Sequence, residues 1–444
     1  MIDLLPLVLT YNKMYKKIIV LVCCILSINC KESNRTEINE QPVEISYPMV
    51  IELDEGLRNT DYEFVLSDIA DSMRFIKLET DDSILFGRIE KVEVDGDDIF
   101  VSSYIGQKES YYFRFNSNGE FKNRVGNIGR GPGEYLGSYF SLDRQNNRII
   151  VFRYLNLNDF IAFSYDGEFL GKTEFLPVTY DGSLFSILHG GRLVTLQGFA
   201  GRASQVPDDI STFRLYDSIG NITSSLPSRL IEYMKTEGSG QGIVSTNGGA
   251  ITPWDTEAFL FSQFDDTVYS THEDSIIPAF ILEKGGYKPS IDEIFKPGLR
   301  MGQENRLWDF SPFVIRVKDK VFLRQLLNNE LYLFEFNISD KSVRTTRSRL
   351  RQNFMMGIPF EELPGFVDDV SGSGRRLFYA LVTGEGGRIA YCVYSANEFK
   401  KFFEKTDTNS YSTIDLASAQ SREQALLMTK VEDNPVIVLV YLKK

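Results

Sequence analysis

Phe113-Arg114-Phe115-Asn116-Ser117-Asn118-Gly119-Glu120-Phe121 is echoed by Ile161-Ala162-Phe163-Ser164-Tyr165-Asp166-Gly167-Glu168-Phe169. A third copy runs Phe213-Arg214-Leu215-Tyr216-Asp217-Ser218-Ile219-Gly220-Asn221-Ile222. The three glycines are 48 and 53 residues apart. Each copy alternates apolar and polar residues, reaches Asn or Asp plus Gly, and resumes the alternation. That is hairpin chemistry, because Gly and Asn accept the positive φ of a tight turn. A hairpin recurring at this period predicts a β-propeller.

A second kind of hairpin precedes each of these. Ile89 to Val94 turns at Asp95-Gly96-Asp97-Asp98 into Ile99-Phe100-Val101. Phe140 to Leu142 turns through Asp143–Arg148 into Ile149-Ile150-Val151, and Phe185 to Leu188 turns at His189-Gly190-Gly191 into Leu193-Val194. Two hairpins make one four-stranded blade. Less regular strands follow at Ala258–Gln263, Thr267–Tyr269, Pro312–Val317, Val321–Leu323, Leu331–Phe336, Leu377–Val382, Ile389–Tyr394 and Pro435–Tyr441. The fold is therefore all-β, a six-bladed β-propeller of four-stranded antiparallel blades. An open ring leaves strand edges unpaired, so Met73–Leu78 is expected to join the last blade beside Val436–Tyr441. Helix is confined to short insertions opened by Ser395-Ala396-Asn397-Glu398, by Ser421-Arg422-Glu423-Gln424, and by Ser290-Ile291-Asp292-Glu293. The glycine-dense stretch 234–252 reads as a loop.

The chain of 444 residues is 43% hydrophobic and 25% charged, with 33 Phe and 22 Tyr, which suits β-structure and a large core. Its formal charge of −13 argues against nucleic acid as a partner. Lys16 and Lys17 precede an apolar run from Ile18 to Ile28, and Cys30 follows. That order is a secretory signal, too short for a membrane span. Met14 is its natural start, which makes residues 1–13 upstream sequence. Leu26-Ser27-Ile28-Asn29-Cys30 is similar to a bacterial lipobox, with Cys30 as the lipidated residue; ordinary signal-peptidase cleavage is the alternative. The expected organisation is a signal peptide over 1–29, a flexible tether over 30–45 and the propeller over 46–444. The chain would then be an exported outer-membrane lipoprotein at the surface or in the periplasm, meeting the membrane through its lipid. Cys392, in a strand pattern, is expected to be a buried structural thiol.

Gly126-Asn127-Ile128-Gly129-Arg130-Gly131-Pro132-Gly133-Glu134-Tyr135 follows a strand and an Asn-Gly turn. With Asp266-Thr267-Val268-Tyr269 and Asn434-Pro435-Val436, it resembles the six-bladed β-propeller lipoproteins of Bacteroidetes, relatives of NHL-repeat proteins. The resemblance implies the fold and an export route, and no activity. The glycine-rich run lacks the Lys-Ser/Thr of a P-loop. It serves either as an inter-blade turn or as a ligand-contacting loop using Arg130, Glu134 and Tyr135.

Other chemistry is sparse. Asp95-Gly96-Asp97-Asp98 lacks calcium-loop spacing, and Asp265-Asp266 and Asp368-Asp369 read as solvated acids at strand ends. His189 and His272 are too few for a zinc centre, and no G-x-S-x-G is present. No metal and no cofactor are expected. Two functions remain. One is a non-enzymatic binding or scaffold module for a peptide, glycan or partner protein. The other is a propeller-based lyase or hydrolase with an acidic/Arg/Tyr site at the central channel.

The anchor has a direct test. Cys30→Ala, expressed beside wild type, is expected to leave the membrane fraction, because the several acyl chains of a lipoprotein hold firmly. Identical fractionation of the two would refute lipidation.

Overall fold

The computed structural model describes residues 46–81, 84, 86–105, 109–136, 139–153, 159–173, 184–197, 200–202, 211–227, 243–245, 249–262, 265–290, 293, 305–309, 314–349, 364–377, 381–404 and 413–444. The chain divides into the units Met1–Ile45 and Ser46–Lys444. Cys30 and the tether lie outside the described residues.

Six antiparallel sheets succeed one another along the second unit as the blades of a β-propeller. Blade one is Arg88–Asp95, Asp98–Ile105, Glu109–Asn116 and Phe121–Val125. Blade two is Phe140–Asp143, Arg148–Arg153, Asp159–Ser164 and Phe169–Lys172. Blade three is Leu184–Ile187, Leu193–Leu196, Ser211–Tyr216 and Ile222–Pro227. Blade four begins at Gly249–Trp254 and ends at Ser275–Glu283; blade five runs from Val314–Val317 to Val343–Arg349. Blade six takes Leu381–Thr383, Ile389–Tyr394 and Val436–Leu442 from the C-terminal part and Ala70–Lys77 from the N-terminal part. First strands touch between blades two and three, three and four, four and five, and six and one, which makes them innermost around the channel. Apolar side chains fill the wedges between blades: Phe100, Tyr112, Phe140, Val151 and Phe163 between blades one and two, for example.

The repeated glycines explain how tightly the blades pack. Gly119 has φ +84, and a Cβ there would stand 2.1 Å from the Lys77 carbonyl oxygen of blade six. Gly167 has φ +89, and its Cβ would stand 2.4 Å from the Arg124 carbonyl oxygen of blade one. Each turn thus presses backbone on the outer strand of the blade before it. Asn116 Oδ1 accepts from the N–H groups of Asn118 and Glu120, both at 3.0 Å, which fixes the first turn. Blade five closes with a related turn one residue longer, where Asn337 Oδ1 accepts from Ser339 N at 2.8 Å and Lys341 N donates to Asn337 O. There Lys341 takes the left-handed position at φ +60.

The N-terminal part of the described chain wraps the outside of three blades. Met49–Glu52 adds a parallel fifth strand to blade four. Asp61 bridges to Thr346 of blade five. Ala70–Lys77 then completes blade six, pairing Ala70 with Leu442 and Lys77 with Val436. This is the closure expected from the sequence. Its free edge is covered by the helix Leu416–Met428, whose Ser418 hydroxyl accepts from Met73 N at 2.7 Å and whose Ser421 hydroxyl accepts from Phe75 N at 3.0 Å.

Several expectations need correction. That helix begins five residues before Ser421, capped by Asp415, whose carboxylate accepts from Ser418 N at 3.0 Å. Ser421 lies inside it because its hydroxyl serves the strand edge. The stretch read as a loop holds the strand Ile243–Ser245 and the start of blade four's first strand, Gly249–Trp254. Gly249 is needed there because Leu196 would stand 2.6 Å from a Cβ. Asp368 and Asp369 are buried: Asp368 accepts from Ser371 and Ser373, and Asp369 from the N–H and hydroxyl of Ser67 at 2.9 and 2.5 Å. Ser395 forms the expected capping box on the helix Ala396–Phe403. Ser290 and Glu293 exchange the same pair of bonds, at 2.7 and 3.2 Å, while 291–292 lie outside the described residues.

Gly119→Ala and Gly96→Ala separate backbone strain from packing. Both positions are left-handed, but a Cβ at Gly96 meets nothing within 4 Å. Each change costs about 1 kcal/mol in strain. Gly119→Ala is expected to melt at least about 2 °C lower than Gly96→Ala, since it must also displace the Lys77 carbonyl. Equal melting would show that the blades yield at no cost.

Candidate functional site

The turns between first and second strands gather around one end of the channel. They enclose a cavity of about 740 Å³. Blade one contributes Asp95, blade two Asp143, Arg144 and Gln145, blade three His189, blade four Asp255 and Glu257, and blade six Gly384, Gly386 and Arg388. Blade five contributes no described residue. The turns of blades four and six meet in front of it, where Asp255 N donates to Gly386 O at 3.1 Å. Asp255 itself is left-handed, with φ +52.

Most charged groups around this mouth are already matched. Asp143 accepts from Arg148 at 2.7 Å and from the Asn146 amide at 2.9 Å. Glu257 accepts from Arg192 at 3.1 Å and from the Thr271 hydroxyl at 2.6 Å. Asp95 accepts from the Tyr165 hydroxyl at 2.7 Å. Burial, and then that bond, push the Tyr165 phenol up. Arg144 donates to Glu93 Oε2 at 2.6 Å and to Val94 O at 3.2 Å. Glu93 is buried behind the mouth. Burial opposes its ionisation, but Lys91, 2.8 Å away, and Arg144 prevail and hold the carboxyl down at about 2. Arg388 differs: it is exposed, and no described residue pairs with its guanidinium.

Side chains also close the inner edge of the first blades. The Tyr391 hydroxyl of blade six accepts from Val92 N at 3.1 Å. Lys91 of blade one donates to Phe140 O at 2.7 Å. Ser141 of blade two accepts from Ile187 N at 3.0 Å. Each inner strand is thus tied to the blade before it.

The residues singled out in the glycine-rich run lie elsewhere. Arg130 is exposed. Glu134 Oε2 accepts from Gly131 N at 2.7 Å, inside its own turn, and a Cβ on Gly129 would stand 2.0 Å from that oxygen. Tyr135 is fully buried between blades one and two. Its hydroxyl donates to Val125 O at 2.6 Å, and its ring centre is 4.6 Å from that of Tyr112. The left-handed glycines of the run are Gly126 and Gly133; a Cβ on Gly133 would stand 2.9 Å from the Phe169 ring. None of the three borders the mouth cavity. His189 does border it, and His272 is exposed on blade four's outer hairpin. Cys392 is buried, which pushes its thiol up. Among the described residues no cluster of His, Cys, Asp and Glu could hold a metal ion. Nor is any described helix long and apolar enough to cross a membrane.

The chain matches the family described as "Domain of unknown function (DUF4934)" over residues 48–441. It belongs to that family. No curated protein matches it. Among solved structures, the crystal structure of a "Putative exported protein" from Bacteroides fragilis is similar, with TM-score 0.60 at 18% identity. The match covers 89% of this chain and 99% of that one, and at this identity it speaks for the fold. An aldose sugar dehydrogenase from Streptomyces coelicolor, seen with bound PQQ, has TM-score 0.35 at 12% identity, over 84% of this chain and 99% of that one. TolB from Acinetobacter baumannii has TM-score 0.30 at 10% identity, over 59% of this chain and 57% of that one. Neither bears on function.

Glu93 gives the family member a defined acid limb. Its folded pKa lies below the ordinary 4.5. Its contribution is therefore complete above the unfolded value and is lost as pH falls from 4.5 toward 2, on the order of 3 kcal/mol. Urea unfolding at stepped pH should show Glu93→Gln less stable than wild type at pH about 7, because Lys91 and Arg144 lose their partner. The variant should then lose less stability on acidification. Parallel profiles for the two proteins would contradict the ion triad.

Proposed function

We propose that this propeller is a non-enzymatic binding module that holds a small polar ligand of peptide or glycan type in the mouth cavity. The observation that carries the reading is that the described mouth carboxylates other than the exposed Asp255 are paired within the fold. Asp143, Glu257 and Asp95 are each committed to a partner within the fold, and Glu93 is held ionised between two cations. A glycosidase-type or lyase-type mechanism asks for a carboxyl kept protonated near neutrality. Among the described residues the carboxyls with raised pKa are Asp309 and Glu335, both pushed up first by burial. Asp309 is paired with buried Lys284 at 3.1 Å, Glu335 with Lys320 at 3.1 Å, and neither lines the cavity.

An about 740 Å³ cavity suits a ligand of a few sugar or amino-acid units. Glycine-bearing turns keep the opening wide, and polar side chains from five blades offer hydrogen bonds from several directions. Export, lipidation at Cys30 and display on the outer membrane or in the periplasm belong to the same reading. They rest on the basic-apolar-Cys order of the N-terminal sequence and place the module where such ligands arrive from outside.

Equilibrium dialysis of the protein against a defined pool of free sugars, uronic acids, amino acids and dipeptides, read by mass spectrometry, tests this. At least one component is expected to be retained and recovered unaltered. Retention should disappear in Gln145→Trp, where an exposed turn residue of blade two is replaced by a bulky side chain that intrudes on the cavity. Conversion of a retained compound into products would overturn the non-enzymatic reading, and retention unaffected by Gln145→Trp would move the site away from the mouth.

A further inference from the structure

Two turns at the mouth are built alike. His189-Gly190-Gly191-Arg192 in blade three and Glu385-Gly386-Gly387-Arg388 in blade six share the pattern x-Gly-Gly-Arg. Their glycines share a conformation as well, with φ +76 and +73 in the first turn and +63 and +66 in the second. Each arginine stands at the same place, directly before its blade's second strand. The turns are internal controls for each other.

The two arginines are used differently. Arg192 is spent on the fold: it donates to His189 O at 3.2 Å, to Thr256 O at 3.0 Å, to Glu257 at 3.1 Å and to Glu273 O. It thereby stitches blade three to both hairpins of blade four. The corresponding position of blade two, Arg148, is likewise spent, on Asp143 at 2.7 Å. Arg388 borders the cavity with its guanidinium exposed and unpaired among the described residues. Lys444 adds a second cation at the same cavity. Against them stands Asp255, on the facing turn of blade four, an acid with no partner among the described residues. A guanidinium fork placed at a cavity rim and left without a protein carboxylate matches a planar, two-oxygen anion.

We propose that Arg388 is the specificity anchor of the mouth and that it receives a carboxylate of the ligand. The ligand class is then a small organic acid, whose carboxylate belongs either to a uronic acid or to a peptide C-terminus. The inference rests on the mouth being the binding site. Asp255 opposes an anion on the same rim, so it limits affinity and disfavours more highly charged ligands.

The experiment is a set of matched titrations by calorimetry on the full chain, comparing glucuronate with glucose and diglycine with glycylglycinamide. In wild type, at least one acid is expected to bind more tightly than its neutral counterpart. Arg388→Gln should weaken that acid about tenfold or more and leave the neutral compound unchanged. Asp255→Asn should strengthen it, since Asn keeps the left-handed backbone without the charge. Unchanged melting of both variants establishes that they fold. The pair that shows the preference identifies the source of the carboxylate. Acids and neutral counterparts binding alike, or an acid preference that survives Arg388→Gln, would overturn the anchor while leaving the mouth as the site. If none of the four probes binds wild type, or if binding persists in Gln145→Trp, the mouth reading and the anchor fall together.

Discussion

Everything in this fold depends on seven paired positions between Ala70–Lys77 and Val436–Leu442. A propeller is a ring of wedges, and each wedge is stable because apolar faces press on it from both sides. Without the N-terminal strand, blade six would end in an open edge, and blade one would lose the carbonyl of Lys77 on which Gly119 rests. The closure itself ends in an edge, and the helix Leu416–Met428 meets that need. Ser418 and Ser421 lie one helical turn apart and accept two outward-facing N–H groups of the strand at 2.7 and 3.0 Å. Each such bond contributes about 1 kcal/mol, and leaving the N–H groups buried and unmet would cost more. The edge is also hidden from other chains.

The same logic of covering edges shapes the channel. In blades six, one and two, a hydroxyl or an ammonium of one blade satisfies the inner backbone of the next. The channel wall there is made of tied backbone, so the chemistry available to a ligand lies at the turns. At the mouth, by contrast, the turns carry Asp255 and Arg388, side chains that pair with no described residue.

The architecture was legible because its signal is local. Alternation and an Asn-Gly or Asp-Gly turn within nine residues disclose a hairpin, and the period discloses the blade. Local reading failed where a distant partner decides the outcome. The related turn at Asn337–Ser342 in blade five escaped because it is one residue longer and carries Lys341, not glycine, in the left-handed conformation. Asp369 looked solvated because nothing nearby in sequence shows that Ser67 approaches from 302 residues away. The mouth was illegible for the same reason: Asp95, Gln145, Asp255 and Arg388 come together only once the ring has closed. The glycine-rich run, conspicuous in sequence, spends Glu134 on its own turn and Tyr135 on a blade junction. One signal for the mouth was present, the x-Gly-Gly-Arg pattern shared by residues 189–192 and 385–388. Its meaning needs the contrast between a paired and an unpaired arginine.

The wrap of the N-terminal part around blades four, five and six has a consequence for the order of assembly. Ala70–Lys77 is synthesised early, and its partner Val436–Leu442 more than 350 residues later. Through that interval Met73, Phe75 and Ile76 have neither their sheet nor the helix that shields it. Blades one to three contain all their own strands and can form in sequence order. Blade four takes its added fifth strand, Met49–Glu52, from chain made before it. Blade six cannot form until both ends of the ring meet, so the last event of folding joins two distant segments. Such late, non-local pairing is slow and exposes an apolar strand while it waits. A chain built this way stays open for as long as its last strand is unmade, because the lock of the ring cannot shut before then.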